Sequence, residues 1–93
     1  MISLTQDSIL VRPQETIATE IDREIIVMDI EAGSYYGLEG PARSVWEALS
    51  APISFRELLD KISGEYEIDL ATCSEDVRVF LLELAQEGLL HVE

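Results

Sequence analysis

Between Leu38 and Ala42 the hydrophobic period of this chain changes from two residues to about 3.6, which divides it into a strand half and a helix half. Upstream, "TIATEI" (16–21) and "EIIVMDI" (24–30) are rich in β-branched residues and stand two residues apart. That gap reads as a hairpin, although Asp22-Arg23 is not the favoured turn chemistry. Ile17, Ala18 and Ile21 are expected to pack. In the second run Ile26, Met28 and Ile30 share one face and Ile25, Val27 and Asp29 the other, so an apolar share on both faces predicts a central strand. "EAG" (31–33) supplies the next turn, with Gly33 free to take a positive φ. Ser34–Leu38 then pairs back as an outer strand, completing a three-stranded antiparallel meander.

After Gly40, Pro41 suits a first helical position, where no amide hydrogen bond is needed. Ala42, Val45, Trp46 and Leu49 make one buried stripe. "SAP" (50–52) stops that helix. The next opens on a capping box, Ser54 and Glu57, with Ile53 stapled onto Leu58. Its stripe is Phe55, Leu58, Leu59 and Ile62, and Gly64 is expected to end it. A third helix is expected from near Thr72 or Ser74 to Gly88, with Val77, Phe80, Leu81 and Leu84 inward. Val79 and Leu82 lie off that stripe, so the helix is apolar on more than one side. Ile9–Val11, closed by Pro13, reads as an edge strand or an ordered lead-in. "LLHVE" reads as a closing strand or tail. The expected fold is α+β and winged helix-turn-helix-like: a three-stranded antiparallel meander followed by a three-helix bundle, one domain over 1–93.

A chain of 93 residues hides only roughly 60–65% of its unfolded surface, enough for one core. With 47% hydrophobic residues and mean hydropathy +0.14 it has the material for one. Nineteen acidic against six basic residues leave a net charge of −13, which repels phosphate and anionic lipid and favours basic partners. Nucleic acid and membrane are therefore excluded as expected partners. The third helix makes the same point, carrying Glu75, Asp76, Glu83 and Glu87 against Arg78 where a DNA-reading helix needs cations. A single cysteine fits a reducing compartment, and with no signal peptide visible and no run of the ~20 apolar residues that span a bilayer, the chain is expected to be cytoplasmic.

Catalytic chemistry is thin. His91 is the only histidine and has no companions for a triad or zinc site. Cys73 precedes a helix, where a thiol pKa can fall, but has no base near it in sequence and reads as structural. The acids lack the pattern of a calcium loop. Gly33, Gly37 and Gly40 are turn and helix-start glycines, not a phosphate loop. The chain is expected to be a non-enzyme with no cofactor and no metal.

What remains is the outer strand 34–38 beside a helix with surplus apolar residues. An exposed edge must be protected or used. If the third helix runs alongside, an extended peptide can add as a fourth strand in the groove between them, held by main-chain hydrogen bonds. The charge predicts lysine or arginine in that peptide. Alternation turns Tyr36 and Leu38 toward the core against Trp46 and leaves Tyr35 as the exposed aromatic. On the helix, Asp76, Val79 and Glu83 share a face, and Phe80 can serve both core and groove floor.

"EIIVMDIEAGSYYGLEGPARSVWEAL", "ISFRELLDKISGEYEID" and "EDVRVFLLELAQEGLL" together resemble the PqqD-like family of peptide-recognition elements for ribosomally made, post-translationally modified peptides. The resemblance runs from Thr16 to Leu90, with motifs in the family's order and spacing. It is greatest to the discrete leader-binding proteins of lasso-peptide clusters, which present a precursor's leader to a papain-like or transglutaminase-like leader peptidase before a cyclase closes the lasso. By resemblance, the leader adds to Ser34, Tyr35, Tyr36, Gly37 and Leu38 and packs along Asp76, Val79, Phe80 and Glu83; the charge of the chain and Val79 between two acids point to basic and apolar anchors in that leader. Glu39 stands where the family often has asparagine before the helix, which leaves the capping role to Gly40. Two other readings are an accessory peptide chaperone for a radical SAM enzyme of quinone-cofactor synthesis, and a winged-helix regulatory protein binding a protein partner.

Overall fold

A two-residue turn at Asp22-Arg23 sets the register of the sheet on which the rest of the molecule is built: Ile21 lies opposite Glu24 and Ile17 opposite Met28. Asp22 takes a left-handed φ of 56°, which aspartate tolerates better than most residues. In the computed structural model, which describes residues 4–13, 16–30 and 33–93, β2 (Ile17–Ile21), β3 (Glu24–Asp29) and β4 (Ser34–Leu38) form an antiparallel sheet in the order β2-β3-β4. The strand expected over 24–30 ends at Asp29, and Ile30 is exposed. Of the expected 31–33 turn, Glu31 and Ala32 lie outside the described residues, while Gly33 takes φ 69° as expected.

The pleat sorts the side chains by cross-strand row. Ala18, Val27 and Tyr36 form one inward row and Glu20, Ile25 and Leu38 another. Val27 is fully buried and Leu38 nearly so. Ile17, Met28 and Tyr35 form an outward row, with 47%, 45% and 70% of their surfaces exposed. The expectation that Ile17, Ala18 and Ile21 pack is therefore overturned, since every residue of β2 is exposed. Ile17 and Ile21 point away from the helices, and Ala18 sits on a strand at the sheet margin.

Helices cover the inner face. α1 (Pro41–Ala48) starts from Gly40, whose φ 59° and ψ −135° suit glycine alone, and buries Val45, Trp46 and Ala48, with Leu49 as its cap. α2 (Phe55–Tyr66) starts from Ser54, whose hydroxyl oxygen accepts from the Glu57 amide at 3.1 Å and donates to the Glu57 carboxylate. Gly64 does not end this helix. It continues to Tyr66, whose ring packs on the core and whose hydroxyl meets Ser44 Oγ at 2.6 Å, and stops at Glu67 in the left-handed region. That packing outweighs the ~1 kcal/mol cost of an internal glycine.

α3 (Leu70–Gln86) starts ahead of the expected Thr72 or Ser74 because Asp69 caps it, accepting from the Thr72 amide at 3.2 Å. The earlier start puts Cys73 in the helix, in the core stripe with Val77, Leu81 and Leu84. Its burial pushes the thiol pKa up, with Asp76 adding to the effect, the reverse of an activated cysteine.

A second small sheet ties in the chain ends. β1 (Ile9–Val11) is its centre rather than an edge, flanked by β5 (Ile53–Ser54) and β6 (His91–Val92) in antiparallel pairing. Leu10 at its middle is completely buried. Arg12 then lays its guanidinium over the Trp46 ring, 4.2 Å from the centroid, and donates to the Trp46 carbonyl. No described helix is long and apolar enough to cross a membrane.

Candidate functional site

Among the described residues β4 pairs only with β3, so its other edge offers unpaired main-chain donors and acceptors. β2 has a free edge as well, and the two differ in protection. Glu20 on β2 is ion-paired with Arg43, which also holds Glu47. Ser-Tyr-Tyr-Gly-Leu on β4 carries no charge of its own, and the carboxylate that lies against it, Glu24 at Gly37, belongs to β3.

Between β4 and α3 lies a cleft of about 190 Å³. Tyr36 and Leu38 form the strand wall, and Phe80, Glu83, Leu84 and Glu87 recur along the helix wall at the spacing of one face. Gln86 and Leu89 complete it. Leu89 reaches this position because Gly88, at φ 76°, turns the chain back, and the Leu89 amide bonds the Leu84 carbonyl at 2.8 Å. The floor is apolar, since Leu38, Leu84 and Leu89 are all buried. The rim is acidic, with Glu83 and Glu87 both exposed.

No basic residue lines this cleft. Arg12 and Arg43 are held beside α1, and Arg56 donates to Gln6 at 2.8 Å. Arg78, although on α3, turns to the Leu4 carbonyl at 2.8 Å and lies over the Phe55 ring. The acid of the rim is thus uncompensated by any lining cation. The Tyr36 phenol reports it: Glu87 raises its pKa above the ordinary value, outweighing the opposite effect of Ser34.

Of the nine residues singled out from the sequence, Tyr36, Leu38, Phe80 and Glu83 meet in the cleft. Ser34 faces inward on the same strand side as Tyr36, and Tyr35 and Gly37 face outward, where the Glu24 carboxylate lies across Gly37. Asp76 and Val79 lie nearer the N-terminal end of α3 and are exposed, Val79 by 54%. The cleft also holds Leu84, Gln86, Glu87 and Leu89, which sequence reasoning did not place there. For Glu87 the signal was present, four residues beyond Glu83 and seven beyond Phe80. For Leu89 it was not, because the residue arrives through the Gly88 turn. The cleft offers no nucleophile–base pair; its chemistry is apolar contact, carboxylate charge and a free strand edge.

Residues 24–90 match the family model of coenzyme PQQ synthesis protein D (PqqD). Among solved structures, "TbiB1 in Complex with the TbiA(beta) Leader Peptide" is similar at 30% identity and a TM-score of 0.79, over 87% of this chain and 94% of that one. The PqqD truncation of Methylobacterium extorquens PqqCD, described as a functional and stand-alone RiPP recognition element, is similar at 15% identity and a TM-score of 0.77. That likeness spans 96% of this chain and 95% of the other, and bears on the fold. No curated protein sequence matches.

Proposed function

The chain belongs to the PqqD family, and on that premise we propose that it is a non-catalytic recognition element for the leader region of a ribosomal precursor peptide. The leader adds as a strand to β4, and the protein delivers it, in the cytoplasm, to a leader peptidase of lasso-peptide maturation. The observation that carries this reading is the uncharged free edge of β4 facing α3 across an apolar, acid-rimmed cleft. Main-chain bonds along Ser34–Leu38 supply affinity for any extended peptide, and side chains on α3 select among peptides. TbiB1, which shares nearly the whole of this fold, is a protein solved with a leader peptide bound.

The test is fluorescence polarisation with the labelled leader segment of a candidate precursor peptide. Val79 is exposed and packs into nothing that the fold requires, so Val79→Glu should leave the circular dichroism spectrum intact and weaken binding at least about tenfold, roughly the loss of one apolar contact residue. Unchanged affinity would remove Val79 from the site and confine the helix contacts to the cleft wall at Phe80, Glu83 and Glu87. The family match itself favours a second reading, an accessory to a radical SAM enzyme of quinone-cofactor synthesis. Co-purification with a cysteine-rich iron–sulfur protein instead of a peptidase would select it.

A further inference from the structure

We propose that the cleft between β4 and α3 is a subsite for one lysine or arginine side chain of the added peptide, with Glu83 and Glu87 as its counter-charges. The inference rests on strand addition to β4 and specifies the residue class that this mode of binding would select. In a strand laid against β4, alternate side chains point inward, on the side of Tyr36 and Leu38, and the others outward, beside Tyr35 and Gly37. An inward side chain entering the cleft meets Leu38, Leu84 and Leu89 at depth and two carboxylates at the mouth. An all-apolar side chain would satisfy the floor and leave the carboxylates without compensation; a short polar one would do the reverse. A long-stemmed cation does both, burying its methylenes while its charge stays at the rim.

Tyr36 and Glu87 both line that rim. An arriving ammonium or guanidinium gives the Glu87 carboxylate a charged donor, a stronger partner than a neutral phenol. The next inward position of the guest, two residues away, falls about 6.6–6.8 Å along the strand. The lining offers no third acid to match a second charge there, so an apolar side chain suits that position. The recognised element is therefore a basic residue two positions from an apolar one.

Random dodecamer peptides displayed on phage and selected on the intact protein provide the probe, and enriched peptides are resynthesised with fluorescein. The expected result is enrichment of lysine or arginine at one position with an apolar residue two away, and protection of β4 amides from hydrogen exchange when the peptide binds. Replacing the basic residue by norleucine, which keeps the stem, should weaken binding about tenfold, or about 1.4 kcal/mol. Glu87→Gln should cost a similar factor for the basic peptide and almost nothing for the norleucine one, the coupling expected of a direct pair. Enriched peptides that protect β4 but tolerate norleucine within about twofold would overturn the basic subsite and leave strand addition standing. Peptides that bind without protecting β4, or no enrichment at all, would overturn both.

Discussion

Tyr36, on the free-edged strand β4, faces Glu87, the C-terminal cap of α3, across the cleft that both residues line. The two stand on opposite walls, and Glu87 raises the pKa of the Tyr36 phenol. That makes the phenol a probe of the cleft.

Tyr36 should accordingly titrate above the ordinary tyrosine value of about 10. Glu87 is the chief cause, and Asp29 adds to it. Because the folded pKa is raised, whatever stability the protonated phenol contributes is fully present below pH ~10 and is lost as pH rises through the folded value. Carbon-13 NMR of the tyrosine ring carbons, assigned with Tyr36→Phe, reads this directly. Glu87→Gln should move the titration down, and an unmoved midpoint would remove Glu87 as the cause.

Cys73 should be inert in the native protein. It is 1% exposed and its pKa is raised by burial, so a thiol reagent should label it only as fast as the protein opens. The expected outcome is slow reaction in buffer and rapid, stoichiometric reaction in denaturant. A fast phase in buffer would contradict the packing of the first turns of α3.

Two glycines should respond oppositely to alanine. Gly64 lies inside α2 with no neighbouring atom where a Cβ would stand, so Gly64→Ala should stabilise by about 0.5–1 kcal/mol. Gly40 caps α1 at φ 59° and ψ −135°, a conformation costing other residues about 1–3 kcal/mol. Gly40→Ala should therefore destabilise by about that amount. Urea unfolding of the two variants gives both signs.

Leu10 is fully buried at the centre of the sheet that joins the two chain ends. Leu10→Ala should cost about 2–5 kcal/mol, the range for a buried leucine truncated to alanine. A loss below 1 kcal/mol in denaturant unfolding would mean that β1, β5 and β6 contribute little to the cooperative fold.

Much of this architecture is legible in the residues because its signals are local. The two-residue gap at Asp22-Arg23 sets the β2–β3 register, and Gly40-Pro41 marks the start of α1. Where a local signal misled, tertiary contact had overruled it: Tyr66 carries α2 past Gly64, and Asp69 captures the α3 start from Thr72. The second sheet was not legible as a sheet, since β5 and β6 are two residues each and meet β1 from distant parts of the chain. The walls of the cleft follow the same rule. Tyr36 and Leu38 follow from alternation, and Phe80 and Glu83 from helical spacing together with the family resemblance. Leu89 depends on a left-handed turn at Gly88 that no period announces.

The central claim is that the edge of β4 is where the peptide binds, and amide hydrogen exchange across residues 34–38 tests it most directly. With a leader peptide bound, alternate amides of Ser34–Leu38 should be protected while those of β2, the other free edge, keep their free rates. Protection confined to β2 or to the helices, with β4 exchanging as in the free protein, would contradict it.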